Sequence, residues 1–103
     1  MASIKVKFRP STASGKEGSI YYQVIHGRIV RQVKTDYRIF DTEWDKKTSS
    51  MKILPEIGEN RKRYLRKVAE HIDWDARRLK AIVTQCDRQG GIYSVDSIIE
   101  KFN

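Results

Sequence analysis

Residues 19–35, SIYYQVIHGRIVRQVKT, have the pattern of a β-hairpin. Apolar and polar residues alternate on both sides of His26 and Gly27, with the period of two that an extended strand imposes. Gly27 tolerates the positive φ that tight hairpin turns require, and histidine is among the more tolerant residues before it. The segment therefore predicts a hairpin with its two-residue turn at His26-Gly27, in a register that pairs Ile20 with Val33.

Residues 4–9, IKVKFR, alternate in the same way and predict a first strand. Successive side chains of a strand point to opposite faces, so the three strands divide their residues between an inner and an outer face. The predicted inner face holds Ile4, Val6, Phe8, Ile20, Tyr22, Val24, Ile29 and Val33, joined by Arg31. The predicted outer face holds Lys5, Lys7, Arg9, Tyr21, Gln23, Ile25, Arg28, Val30, Gln32 and Lys34.

The second half of the chain has the periodicity of helices. Between residues 60 and 88, apolar side chains recur at spacings of three, four and seven, which predicts one long amphipathic helix. Ser94 is a plausible N-cap for a second helix that would bury Val95, Ile98, Ile99 and Phe102. The sequence thus predicts an α+β fold, a small three-stranded antiparallel sheet packed against a helix and followed by helices. We expect the apolar faces of these helices to be barely covered, as in a truncated bundle.

The connection between the two halves gives two further predictions. Residues 41–45, DTEWD, predict a short helical turn in which Asp41 accepts backbone N–H groups. Trp44 and Trp74 are predicted to be packing residues. The likeliest boundary follows residue 54, which gives a β-sheet domain at 1–54 and a linker with helices at 55–103.

Charge indicates an acidic partner. The chain has 21 Lys and Arg against 13 Asp and Glu, a formal net charge of +8, and residues 1–40 contain eight of these cations against two acids. Such an excess favours nucleic acid or an anionic membrane surface. Lys and Arg neutralise phosphates, while Gln can read an adenine edge and Arg a guanine edge in the major groove. The other interpretation is a solvated strand face whose lysines provide solubility and protect the sheet edge.

Several classes of protein are disfavoured by the same sequence. It contains no apolar run of the roughly 18 residues needed to span a bilayer, and its first residues contain no apolar signal-peptide core. The one cysteine, Cys86, rules out an internal disulfide framework and fits a cytoplasmic location. His26 and His71 lack a second pair of metal ligands, and no catalytic Ser/His/Asp or Cys/His arrangement is present. We therefore expect no cofactor, no metal, no small-molecule substrate and no membrane partner.

The order of these features resembles the N-terminal arm DNA-binding domain of tyrosine-family site-specific recombinases, the integrases of mobile elements. The resemblance covers residues 2–54 and rests on the basic first strand, the loop before IYYQV, the short turn, the RIVRQVKT strand and the EWD at 43–45. The segment from residue 59 onward is similar to the stretch that leads into the helical core-binding domain. Residues 55–103 would then be the linker and the beginning of a truncated core-binding domain.

This resemblance implies a sheet that lies in the major groove at arm-type DNA sites, in an enzyme that acts in DNA integration and recombination. The family's catalytic set and nucleophilic tyrosine belong to a separate C-terminal domain, so we expect a non-catalytic fragment whose partner is double-stranded DNA, with other recombinase subunits as the second candidate partner. The DNA-binding residues that it implies are Lys5, Lys7, Arg9, Tyr21, Gln23, Arg28, Gln32 and Lys34.

Two alternatives belong to other classes of function. In the first, the protein is an interaction or oligomerisation module whose uncovered helical stripe docks a partner, while the basic face only provides solubility. In the second, the sheet binds RNA. The second is weaker because sheet-based RNA readers present a cluster of stacking aromatics, whereas the predicted outer face has only Tyr21.

Overall fold

An antiparallel sheet and two helices organise the chain. The computed structural model describes residues 2–13, 15–90 and 92–103. In chain order, its elements are β1 (Ser3–Arg9), β2 (Gly18–His26), β3 (Ile29–Ile39), a 3-10 helix (Asp41–Glu43), β4 (Trp44–Asp45), β5 (Ser50–Met51), α1 (Glu59–Arg88) and α2 (Val95–Phe102). The main sheet has the order β1-β2-β3, and β4 pairs with β5 in a separate two-stranded ribbon. The predicted α+β class is confirmed.

The inner face of the main sheet is the side that packs against the helices. Pairing of Ile4 with Val24 and of Phe8 with Ile20 aligns the apolar side chains of β1 with those of β2, as predicted. Ile20, Tyr22 and Val24 are completely buried, and they form one apolar cluster with buried residues of α1 and α2. The alternation of β1 and β2 therefore faces the way that the sequence indicates.

The hairpin turn lies one residue later than predicted. It consists of Gly27 and Arg28, with φ of 58° and 70°, so that His26 pairs with Ile29. Positive φ at both central residues is the mark of the tight hairpin turn, although arginine rarely adopts it. The predicted register was wrong by two residues, and because two is the period of a strand, the side chains that belong to the strands kept their predicted faces, whereas Arg28 lies in the turn. Ile29 was wrongly placed in the core: it belongs to the last pair beside the turn and is 46% exposed.

Two contacts on the inner face favour the observed register. The ring of His26, now a strand residue, stacks on Tyr93 with ring centroids 4.4 Å apart. Arg31 lies opposite Val24, and its Nε is 3.3 Å from the Asp96 carboxylate at the start of α2. This ion pair explains how an arginine comes to lie on an otherwise apolar face.

A bulge lengthens β3 beyond the predicted strand. The register between β2 and β3 shifts between Ser19 and Tyr21. The Thr35 hydroxyl donates to the Ile20 carbonyl at 2.6 Å and accepts the Tyr37 N–H at 3.2 Å, which satisfies backbone groups where the ladder is interrupted. After the bulge β3 continues to Ile39, which is completely buried.

The helices cover the sheet instead of leaving their apolar faces open. The buried stripe of α1 consists of Leu65, Val68, Ile72, Leu79, Val83 and Cys86. Val95 and Ile98 of α2 are also buried, and Ser94 accepts the Ser97 N–H at 3.1 Å as its N-cap. The expectation of a barely covered helical face was therefore wrong. Buried residues from both sides of the predicted boundary after residue 54 join one cluster.

The two tryptophans have different environments. Trp44 is buried, as predicted, whereas Trp74 is 67% exposed and was wrongly predicted to pack. Successive residues of an α-helix are rotated by about 100°, which places Trp74 on the side of α1 opposite its buried stripe. This position on the helix explains the exposure of Trp74. Within residues 2–13, 15–90 and 92–103, no helix combines the length and the apolar content needed to cross a membrane.

A buried ion pair fixes the beginning of α1 to the sheet. Glu43 is 3% exposed, and its carboxylate accepts the Phe40 N–H at 2.7 Å, so Glu43 caps the 3-10 helix in place of the predicted Asp41. Arg61 of α1 donates to both oxygens of Glu43 at 2.6 and 2.8 Å and to Glu17 at 2.9 Å. One guanidinium thus joins α1, the 3-10 helix and the loop before β2.

Candidate nucleic-acid interface

The outer face of the main sheet is a grid of cross-strand rows. We use "outer face" for the side chains that point away from the helices. From the hairpin turn towards the opposite end, the rows are Ser3–Ile25–Val30, Lys5–Gln23–Gln32, Lys7–Tyr21–Lys34 and Arg9–Ser19–Arg38. The predicted site residues other than Arg28 are brought together on this grid.

The centre of the outer face is a contact between an aromatic ring, a guanidinium and an amide. Arg9 lies over the ring of Tyr21, with its Cζ 4.8 Å from the ring centroid. The same guanidinium donates to Gln32 Oε1 at 3.1 Å. Lys7 and Lys34 are the row partners of Tyr21 on its two sides. These contacts hold a cation and an amide above the sheet surface.

Arg28 is the predicted site residue that the structure places elsewhere. It is the second residue of the turn, with φ of 70°, and so it has no row on the outer face. The predicted register put it in β3 because the turn was assigned one residue too early. Its guanidinium extends from the tip of the hairpin instead of from the sheet surface.

Arg38 is a residue of the outer face that sequence reasoning missed. It lies in β3 after the bulge, opposite Ser19, and it is exposed. The Tyr64 hydroxyl donates to the Arg38 carbonyl at 2.8 Å and accepts its N–H at 3.3 Å, which ties this part of β3 to α1. The sequence signal was the alternation of residues 33–39, which continues through Tyr37 and Ile39 and places Arg38 on the same face as Lys34.

Charge is distributed unequally among the three strands. The central strand β2 presents Ser19, Tyr21, Gln23 and Ile25, which are all uncharged. The cations lie on the two edge strands: Lys5, Lys7 and Arg9 on β1, and Lys34 and Arg38 on β3. The outer face is therefore neutral along its middle and positive along both edges.

In the described part of the chain, the cations on the edges of the outer face have no carboxylate partners, unlike two cations that lie on the inner side of the sheet. Among the residues that the structure describes, no carboxylate lies within 4.0 Å of the charged nitrogens of Lys5, Lys7, Arg9, Lys34 or Arg38. In contrast, Arg31 on the inner face is paired with Asp96, and Arg61 with Glu43. The charge of the outer face is thus available to an external anion.

A polar cluster on the inner face anchors the same strands to α1. The Tyr22 hydroxyl donates to Asp75 Oδ2 at 2.7 Å, and the Tyr37 hydroxyl donates to the same oxygen at 3.1 Å. Burial raises the pKa of Tyr22, and the neighbouring Asp75 carboxylate raises it further, so the phenol keeps its proton. Because β2 and β3 are both tied to α1, the opposite side of these strands forms a supported surface.

Comparison with known proteins adds no identity to this geometry. No family model matches the chain, and no curated protein or solved structure matches it. The resemblance to recombinase arm domains therefore stays a prediction that rests on the residues themselves.

The dimensions and chemistry of the outer face suit a nucleic-acid groove. Neighbouring strands lie about 4.8 Å apart, so the two edge strands are separated by about 10 Å. The major groove of B-DNA is about 12 Å wide and admits a two-stranded β-ribbon, so the central strand of this three-stranded sheet would face the groove floor with an edge strand beside each phosphate backbone. A surface with positive edges and amides along its middle can contact both phosphate backbones and the base edges between them.

Proposed function

We propose that this protein binds double-stranded DNA in a sequence-specific manner, with the outer face of its sheet in the major groove. The observation that carries the proposal is the division of charge, with cations on both edge strands and uncharged polar side chains on the central one. Lysines that only protect the sheet edges would also leave the central strand neutral. The combination of two positive edges with amides and an aromatic ring between them also matches a groove that has a phosphate backbone on each side and base edges along its middle.

In this proposal the strands have separate tasks. Lys5 and Lys7 on β1 bind one phosphate backbone, and Lys34 and Arg38 on β3 bind the other. Gln23 lies opposite Gln32, so their amides lie next to each other where the sheet meets the base edges. A Gln side chain can form two hydrogen bonds with adenine N6 and N7, which gives the surface a preference for adenine.

The sequence resemblance leads us to propose a biological setting. The protein would be the N-terminal region of a tyrosine-family recombinase that acts in DNA integration and recombination in the cytoplasm. Its task would be to hold arm-type DNA sites and, with other recombinase subunits, to position the complex. Cleavage and rejoining would belong to a separate catalytic domain, and this region would contribute no catalytic residue.

The alternative of an interaction or oligomerisation module is less well supported than DNA binding. That alternative required an uncovered apolar stripe on the helices as its docking surface. The stripe of α1 is buried against the sheet and α2. We therefore do not propose this function.

Replacing both glutamines by alanine should relax base preference while leaving most of the DNA affinity intact. The reason is that Gln23 and Gln32 read bases, whereas the lysines bind phosphates. Each bidentate amide contact is worth about 1–3 kcal/mol of discrimination, which corresponds to roughly 5-fold to 150-fold at one base pair. Selection of duplexes from a random library, with wild type and with Gln23→Ala/Gln32→Ala in parallel, measures this preference.

Wild type should enrich a common motif that contains adenine, and the variant should lose the preference at one or two positions of that motif. The salt dependence of binding should be equal for the two proteins, because their charges are equal. Binding by wild type without any enriched motif would contradict sequence-specific recognition.

A further inference from the structure

The row of the outer face nearest the hairpin turn is apolar. Ile25 and Val30 are cross-strand partners in this row, and Ser3 completes it on β1. Val30 is 45% exposed and Ile25 is half-buried. Directly opposed side chains of an antiparallel pair have Cβ atoms about 5 Å apart, so the two form one small apolar surface.

This apolar surface is continuous with the proposed DNA-binding residues. The next row on the same face contains Lys5, Gln23 and Gln32. Successive rows are two residues apart along each strand, or about 6.8 Å, which is close to the rise of two base pairs in B-DNA. A duplex seated on the glutamines and the flanking lysines therefore places base edges over Ile25 and Val30 as well.

Only one base offers a matching group in the major groove. Thymine presents a C5-methyl group there, whereas the other bases present hydrogen-bond donors and acceptors. We propose that Ile25 and Val30 contact the C5-methyl group of a thymine about two base pairs from the base that the glutamines read. This inference rests on the proposed function and deepens it, because it assigns a specificity-determining role to residues without charge or hydrogen-bonding side chains.

Deoxyuridine tests the inference directly, since it differs from thymine only in lacking the C5-methyl group. The probes are two self-complementary duplexes of about 20 base pairs at low salt, one of alternating adenine and thymine, and the other with uracil in place of every thymine. Wild type should bind the thymine duplex about fourfold more tightly, the gain expected from removing one methyl group from water.

Two adjacent residues provide a matched pair of variants. Val30 and Ile29 are almost equally exposed, at 45% and 46%, but they point to opposite faces of the sheet. Serine at either position removes both methyl groups, whereas threonine would keep a methyl group that can itself contact thymine. Val30→Ser should bind the thymine duplex less tightly than wild type does and should bind the uracil duplex with nearly unchanged affinity. Ile29→Ser should keep the wild-type preference for thymine, and circular dichroism verifies that both variants are folded.

Each result has a separate meaning. Tight binding of both duplexes by wild type, with equal affinity, would overturn the methyl contact and leave the proposed function intact. A thymine preference as large in Val30→Ser as in wild type would overturn the assignment to this row. Failure of wild type to bind any duplex, these two included, would overturn the proposed function and this inference with it.

Discussion

Replacing Lys5, Lys7 and Lys34 together by alanine should weaken duplex binding on the order of a hundredfold at about 0.1 M salt. Each lysine that neutralises a phosphate releases a condensed counterion, so each loss should lower the slope of log K against log salt by about 0.9. The triple variant should therefore have a slope smaller by about 3. Fluorescence anisotropy with a labelled duplex at several salt concentrations measures both quantities.

A matched variant distinguishes DNA binding by the outer face from attraction of DNA by the net charge alone. Arg63, Arg66 and Lys67 are exposed on α1, away from the outer face, and their replacement by alanine removes the same charge. We expect this variant to lose no more than about threefold in affinity, because long-range attraction is screened at this salt concentration. Equal losses in the two variants would show that net charge, and not the outer face, determines binding.

Replacing Arg61 by alanine should lower the free energy of unfolding by about 3 kcal/mol. Glu43 would remain buried, with its side chain 4% exposed, and would lose the guanidinium that compensates its charge. Breaking a buried ion pair typically costs about 3–5 kcal/mol, and the lower end applies because the Arg61 side chain is 27% exposed. A domain of this size is stable by only about 5–15 kcal/mol, so the urea midpoint should fall by about 2 M. Arg63→Ala, an exposed neighbour, should change stability by no more than about 0.5 kcal/mol.

The same ion pair should make stability depend on pH in the acid range. Burial alone would raise the pKa of Glu43, but the hydrogen bonds from Arg61 and the Phe40 N–H lower it below its ordinary value of 4.5. A carboxylate with a lowered pKa stabilises the folded state above its unfolded pKa, and this stability is lost as the pH falls through the folded pKa. The difference between wild type and Arg61→Ala should therefore narrow below about pH 4.5. A difference that stays constant between pH 6 and pH 3 would contradict this account of the pair.

Strand alternation was enough to predict the two faces of the sheet. The pattern in residues 4–9 and 19–35 placed Tyr22 and Val24 inside and Gln23 and Gln32 outside, as the structure has them. The division survived an error of two residues in the register because side chains repeat with that same period. Most of the candidate interface was therefore accessible from local sequence alone.

The parts that could not be predicted depend on contacts between distant segments. The turn lies at Gly27-Arg28, where the observed register allows His26 to stack on Tyr93 and Arg31 to pair with Asp96. Nothing local to the hairpin reveals these partners. For the same reason, the pairing of Glu43 with Arg61 had no signal in the spacing of residues along the chain.

The exposure of single residues was the other source of error. Helical periodicity places Trp74 on the outside of α1, as observed, whereas the large apolar side chain on which the prediction rested favours burial. Arg38 was missed because the predicted strand ended at residue 35, although the alternation continues to Ile39 and the two additional residues of the bulge leave it unchanged.

Nuclear magnetic resonance of the labelled protein during addition of a short duplex tests the central claim most directly. If the outer face binds DNA, the side-chain amide signals of Gln23 and Gln32 and the methyl signals of Val30 should shift as the duplex is added. The methyl signals of Leu79 and Val83, buried under the inner face, should stay nearly unchanged. Shifts confined to α1 and α2, with the signals of the outer face unmoved, would contradict DNA binding by this sheet.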